Sequence, residues 1–241
     1  MRIVVRGTVQ GVGFRPAVYR TAVSLGLRGR VWNNGPDVII DVDDGEKFLC
    51  GFHDNIPPLA SVDALERVDV PFDENIGDFR IVPSEQGAGG VSIPTDTAVC
   101  DKCLEDLRSG RRKGYAFISC TDCGPRFTLL NGMPYDRIRT SMDRFPVCRD
   151  CGREYADPAD RRFHHQTVCC PTCGPSYSLT DTYGNVIPGD PAGMFAYLLG
   201  KGKIGVIKGW GGMHICCTLK NTDRMRKWYG REQKPFAVMA R

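Results

Sequence analysis

No apolar stretch approaches the roughly 18 residues of a membrane span, and Met1-Arg2-Ile3-Val4-Val5-Arg6 lacks the apolar core of a secretory signal. Those absences predict a soluble, cytoplasmic protein. Wholesale disorder is excluded as well, because 41% of the residues are hydrophobic and 25% charged, close to the globular average. Cysteine is nearly missing from the first 99 residues, where Cys50 stands alone. What is present then stands out. The 241 residues, enough for one to two domains, contain 12 cysteines and a formal charge of +4. In a secreted chain the cysteines would suggest disulfides, and the charge raises nucleic acid as a partner.

Position tests both readings. Residues 1–83 carry a net −3, residues 84–99 a net −2, residues 100–175 a net +3 and residues 176–241 a net +6. Nine cysteines fall between 100 and 173, and Cys216 and Cys217 lie near the end. Ser84-Glu85-Gln86-Gly87-Ala88-Gly89-Gly90 reads as a linker or mobile loop. The expected organisation is an acidic module over 1–83, a linker over 84–99, a cysteine-rich module over 100–175 and a basic tail over 176–241.

The first module reads β-α-β-β-α-β. Ile3-Val4-Val5 is a strand. A helix opens at Pro16, stacks Val18, Ala22 and Leu25, and stops at Gly26. Val31-Trp32 and Val38–Val42 are strands joined by the turn-rich Asn33–Asp37. A second helix carries Phe48, Leu49, Phe52 and Ile56, with His53 an ordinary helix residue, and strands near Ala64–Val70 and Phe79–Val82 follow. This is the ferredoxin-like order of an α+β domain. Before the first helix lies Gln10-Gly11-Val12-Gly13-Phe14-Arg15. A glycine-rich turn at a helix N-terminus aims backbone N–H groups at an anion, and Arg15 adds a bidentate fork. A tight turn with a surface arginine is the plainer reading. The dinucleotide spacing G-x-G-x-x-G is not met, because Pro16 and Ala17 follow.

G-x-V-Q-G-V-G-F-R followed by G-x-V-x-N resembles an acylphosphatase over residues 1–83. The resemblance implies that Arg15 grips the phosphoryl group and that Asn33 orients the attacking water. Such chemistry needs positioning and charge neutralisation rather than a metal.

Four C-x-x-C pairs occur, Cys100/Cys103, Cys120/Cys123, Cys148/Cys151 and Cys170/Cys173. Tetrahedral Zn²⁺ takes four thiolates, so the pairs supply two structural zinc sites, joined sequentially or interleaved. Cys120-Thr121-Asp122-Cys123-Gly124-Pro125 recurs 50 residues later as Cys170-Pro171-Thr172-Cys173-Gly174-Pro175, which marks a duplication. Cys169, His164 and His165 stand near enough to compete as ligands, but eight thiols already complete both sites. Eight thiolates and two Zn²⁺ bring the loaded chain close to neutrality. A redox dithiol role for the pairs predicts no tightly bound metal.

Met133–Arg137, Thr140–Pro146 and Asp157–His164 resemble the HypF family of hydrogenase-maturation carbamoyltransferases, and the similarity runs through nearly the whole chain. In the tail, Asp190-Pro191 caps a helix with Met194, Phe195, Leu198 and Leu199, Ile204–Ile207 reads as a buried strand, and Arg231–Met239 resembles the start of that family's YrdC-like nucleotide-binding domain. Lys208, Arg231 and Lys234 are the nucleotide-binding candidates there, with a solvated basic face as the alternative. The strand-like apolar run before Arg241 has no sheet partners of its own, so an N-terminal fragment is expected. The family resemblance implies carbamoyl phosphate and ATP (with Mg²⁺) as substrates and the C-terminal cysteine of HypE as acceptor, on the way to the cyanide ligand. For this chain alone the expectation is carbamoyl or acyl phosphate hydrolysis. The rival class is a zinc-finger module that binds RNA or protein beside an inert acylphosphatase-like domain.

Overall fold

The computed structural model describes residues 1–87 and 94–239; Ala88, Gly89 and Gly90 of the glycine-rich stretch, and Arg241, lie outside them. The chain divides into two compact units, Met1–Pro175 and Ser176–Arg241.

In the first unit, strand β1 (Arg2–Thr8), helix α1 (Phe14–Ser24), strands β2 (Gly29–Asn34) and β3 (Asp37–Val42), helix α2 (Gly45–Phe52) and strands β4 (Ser61–Val68) and β5 (Phe79–Ile81) build one sheet in the order β4-β1-β3-β2-β5. The first four strands give the ferredoxin-like order, and β5 adds in parallel beside β2. Alternation fixes which face is covered. Ile3 and Val5 on β1, and Val38, Ile40 and Val42 on β3, point with Val31 into a core closed by Val18, Ala22 and Phe48 from the helices. Each such side chain contributes about 1.5–3 kcal/mol by leaving water. Asp44 caps α2 by accepting from the Lys47 amide. Helix α1 starts two residues before the expected Pro16, because Gly13 adopts a left-handed conformation (φ 78°) and turns the chain into the helix there. Residues 84–87 extend the sheet edge: the Glu85 amide donates to the Asn33 carbonyl at 2.8 Å, and Trp32 Nε1 donates to the Glu85 carboxylate.

The cysteine-rich segment has little regular structure. Helices α3 (Asp101–Arg108) and α4 (Arg149–Ala156) each begin immediately after the first cysteine of a C-x-x-C pair. This segment joins the sheet domain in the same compact unit.

The second unit holds a hairpin of β6 (Leu179–Thr180) and β7 (Val186–Ile187), helix α5 (Pro191–Gly200), a pair β8 (Gly205–Lys208) and β9 (Met213–Cys216), and helix α6 (Thr222–Tyr229). Asp190 caps α5 with Pro191 in its first turn, as the sequence predicts. The strand at 204–207 forms, but not as a buried one. Among the described residues it has β9 as its one partner, and Val206 is 51% exposed. The apolar run before residue 240 forms no strand; Phe236 instead lies under the guanidinium groups of Arg226 and Arg231.

Candidate acyl phosphate site and zinc centres

Between β1 and α1 the chain makes the turn that the anion-cradle reading requires. Gly11 (φ 70°) and Gly13 (φ 78°) occupy left-handed conformations, and a Cβ at either would press on a finger residue, Tyr135 at 3.3 Å or Thr121 at 3.2 Å. Glycine is therefore demanded twice, by backbone and by neighbour. Among the described residues, the amides of Gly11, Val12, Gly13 and Phe14 donate to no protein acceptor. They stand at the positive end of α1, which is the arrangement that holds anions. Gln10 locks the loop to the β2–β3 turn by donating to the carbonyls of Gly35 and Asp37.

Arg15 lies in the first turn of α1 and is 9% exposed. Its Nη2 donates to the Asp136 carboxylate at 2.9 Å and to the Tyr135 carbonyl at 3.3 Å, and its Nη1 donates to Ser84 Oγ at 3.2 Å. Asn33 sits near the end of β2, 1% exposed, and among the described residues both its amide oxygen and its amide nitrogen lack a protein partner. A buried carboxamide with neither end satisfied costs about 1–3 kcal/mol per group, so the position is built for something polar to arrive. Around the loop, Gly11, Gly13, Arg15, Tyr135, His164 and Gln166 line a cavity of ≈ 20 Å³, room for about one water. Burial, reinforced by the Arg15 charge, pushes His164 down to about 4, so its ring is neutral there near pH 7.

The eight C-x-x-C cysteines gather into two groups, Cys100/Cys103/Cys120/Cys123 and Cys148/Cys151/Cys170/Cys173, with the sulfurs of each group within 4.8 Å of one another. This selects the sequential pairing. Cys100–Cys120 and Cys170–Cys173 sulfurs are 3.8 Å apart, and Cys120–Cys123, Cys148–Cys170 and Cys151–Cys173 are 3.7 Å apart. A disulfide would need about 2.05 Å. A tetrahedron of sulfurs at about 2.3 Å from Zn²⁺ has edges of about 3.8 Å. The donor set thus fits two tetrahedral zinc ions in size and in chemistry. Crowding alone splits the thiols, Cys103 being drawn down and Cys120 pushed up by the hydrogen bond they share; a cation is what lets all four ionise together.

The competing ligands have other partners. Cys169 Sγ donates to the Phe117 carbonyl and receives the Tyr115 hydroxyl. His165, pushed well below its usual value by burial, bonds Ser119 and Thr167 through Nε2. His164, at φ 53°, packs on Phe163 and Tyr155.

A second layer around the thiols escapes the sequence reading. Arg161 donates to Cys103 Sγ at 3.2 Å, and Arg161 and Arg162 both reach Asp106 at 2.5 Å. Reciprocally, Arg111 and Arg112 donate to Cys151 Sγ at 3.4 Å and pair with Glu154. Burial pushes the Glu154 carboxyl up, but hydrogen bonds from Arg112 and Arg111 outweigh it and hold it at about 2. Each half of the duplication therefore braces the other half's cysteine cluster. The signal lies in the repeat: an acid three residues after the second cysteine (Asp106, Glu154), and Arg-Arg recurring at an offset of 50. Arg162→Ala is expected to weaken zinc at the Cys100 cluster 10–100-fold, the usual scale for a residue that orients a ligand, and to spare the Cys148 cluster. Stepwise chelator competition reads this, and equal weakening at both sites would count against the cross-brace.

In the second unit the carbonyls of two predicted basic residues, Arg231 and Lys234, both accept from Arg226 Nη1. Lys208 Nζ donates to the Gly209 carbonyl, and Arg231 lies over Phe236.

The family models that match are the acylphosphatase family over residues 1–81 and the HypF finger over residues 99–130 and 147–180. A carbamoyltransferase HypF of Rhodobacter capsulatus is 46% identical over 245 residues, covering 100% of this chain and 33% of the relative. An acylphosphatase of Caldivirga maquilingensis is 42% identical over 71 residues, 27% of this chain and 75% of that protein. A crystal structure of full-length HypF in the phosphate- and nucleotide-bound form superposes with a TM-score of 0.88 at 38% identity, across 100% of this chain and 33% of that one. The chain spans about a third of the length of the curated carbamoyltransferases it matches. With an acylphosphatase domain and two cysteine fingers in that order, the chain belongs to the HypF carbamoyltransferase family.

Proposed function

We propose that this chain hydrolyses an acyl phosphate, carbamoyl phosphate above all, at the Gln10–Arg15 loop and Asn33. One observation carries the reading: among the described residues, a loop of amides without protein acceptors at a helix N-terminus stands beside a buried arginine, and a buried asparagine in the same domain has no partner for either amide atom. The loop amides and Arg15 would neutralise the phosphoryl oxygens, and Asn33 would hold a water for attack on phosphorus. The bond from phosphorus to the bridging oxygen breaks, carbamate leaves with the electron pair, and the proton of the attacking water ends on phosphate or solvent. Positioning and charge account for such a reaction. In the parent enzyme the carbamate would pass, with ATP and Mg²⁺, to carbamoylation of the HypE C-terminal cysteine. The phosphate and nucleotide named with the related full-length structure support that assignment. Lys208, Arg231 and Lys234 remain the candidate nucleotide contacts in this chain. The eight cysteines would hold zinc in a structural role.

Phosphate release from carbamoyl phosphate should fall at least about 10²-fold in Arg15→Ala, the scale of losing one preorganised charge-stabilising donor. Equal rates in wild type and variant would sink the assignment.

A further inference from the structure

Arg15 reaches out of the acylphosphatase domain for two of its partners. Both sit on one short finger segment, and both converge on a single guanidinium nitrogen, Nη2: the Tyr135 carbonyl and the Asp136 carboxylate. That segment is fastened in place. The Tyr135 amide donates to Gln10 Oε1 at 2.9 Å, the Tyr135 ring is 2% exposed, and the next residue, Arg137, is tied to Gln166, Val168 and Phe145. The two acceptors are therefore fixtures of the loop and not passing surface contacts.

Their arrangement sets a condition on the substrate. The neighbouring cavity holds about one water, so a phosphoryl group takes its place only as Arg15 exchanges Tyr135 and Asp136 for phosphoryl oxygens. The exchange strips one carbonyl and one carboxylate of the nitrogen that supplied them. Left unpaired they oppose binding, the carboxylate most of all because it then faces a phosphoryl dianion. An acyl group that brings its own nitrogen with two N–H donors restores both contacts. A carbamoyl group has that nitrogen; an acetyl group has a methyl in its place.

We propose that Asp136, with the Tyr135 carbonyl, is a specificity determinant of the phosphoryl site, accepting the N–H groups of a carbamoyl substituent and rejecting acyl phosphates that lack them. The proposal rests on the hydrolytic reading above and adds the acyl end of the substrate to it. It also gives the finger module a part in recognition, since the acylphosphatase domain contributes no acceptor of its own to Arg15 Nη2.

The test compares kcat/KM for carbamoyl phosphate and acetyl phosphate in wild type, Asp136→Ala and Asp136→Asn, with two zinc per chain confirmed in each. Charge effects on the shared phosphoryl group cancel in the ratio of the two substrates. That ratio should fall at least about tenfold in Asp136→Ala and less in Asp136→Asn, which keeps an acceptor oxygen; sites built to bond a substrate N–H discriminate on this scale or beyond. If both substrates change by one common factor, up or down, Asp136 is only a plug or a tether for Arg15 and the proposal fails. Failure of the hydrolytic reading looks different: neither substrate is turned over by wild type, or Arg15→Ala matches it.

Discussion

Removing zinc with a chelator is expected to unfold the segment from residue 100 to 175 while the sheet of residues 1–83 stays folded. The reason is the composition of the finger cores. One buried cluster consists of Cys103, Ile118, Cys120 and Cys123, the other of Cys151, Val168 and Cys170. In these two clusters most of what is buried is the ligand set itself, and the segment's other buried apolar side chains, Tyr115, Phe117, Leu129, Tyr135, Met142 and Phe163 among them, lie outside both. Helices α3 and α4 are eight residues each, too short to persist without tertiary support. A structural zinc contributes about 10–16 kcal/mol at neutral pH, as much as the entire stability of an ordinary domain. The acylphosphatase domain has a core cluster of fifteen buried apolar residues, from Ile3 to Phe79, and needs no metal to hold them. Amide hydrogen exchange before and after chelation measures both halves of this expectation. Protection should vanish in α3 and α4 and persist in β1, β3 and α1. Retention of protection in α3 and α4 at zero zinc content would show that the fingers fold on packing alone. Cys123→Ser should reproduce the loss at the first cluster.

The sheet domain and the zinc ligands are legible from sequence for the same reason: local spacing carries the information. Alternation at Ile3/Val5 and Val38/Ile40/Val42 names the covered face, and C-x-x-C names a metal half-site. Contacts set by long-range folding are not encoded that way. Asp136 meets Arg15 across 121 residues of sequence, and neither residue's neighbours announce the other. The arginine pairs at 111–112 and 161–162 are marked in the sequence only by their offset of 50, and the structure shows them against the opposite half's cysteines. Ile204–Ile207 misleads in the other direction. Four apolar or small residues in a row suit a strand covered on both faces, yet among the described residues the strand has one neighbour and stays half exposed.

Arg126 repays the closest reading of the repeat, and its replacement by methionine is expected to cost about 5 kcal/mol. In the two copies of C-x-x-C-G-P the next residue is Arg126 in the first and Ser176 in the second. An arginine that follows the shared Cys-Gly-Pro in one copy alone points to a demand on that copy. The demand is visible. Arg126 is 1% exposed, and all five of its N–H groups donate to backbone carbonyls: those of Cys120 at 2.8 Å, Thr121 and Cys123 at 2.9 Å and Pro125 at 3.0 Å, and that of Gly11 in the phosphate loop. Its own amide is held by Asp96 at 2.7 Å. One side chain thus closes the first finger on itself and pins the anion cradle to it. Methionine fills similar space and donates nothing, taking a donor from five carbonyls at about 1 kcal/mol each, although those of Cys120 and Cys123 keep a longer bond of 3.4 Å from each other's amide. For a unit of this size that lowers the melting temperature by about 10–20 °C. Lysine has three donors without the planar spread to reach five carbonyls, so Arg126→Lys should recover only part of the loss. Phe127→Ala, at a neighbour 62% exposed, should change stability by no more than about 0.5 kcal/mol. A melting temperature for Arg126→Met within 2–3 °C of wild type, the shift expected from about 1 kcal/mol, would mean that the carbonyls find other donors and that the cradle does not depend on the finger for its shape.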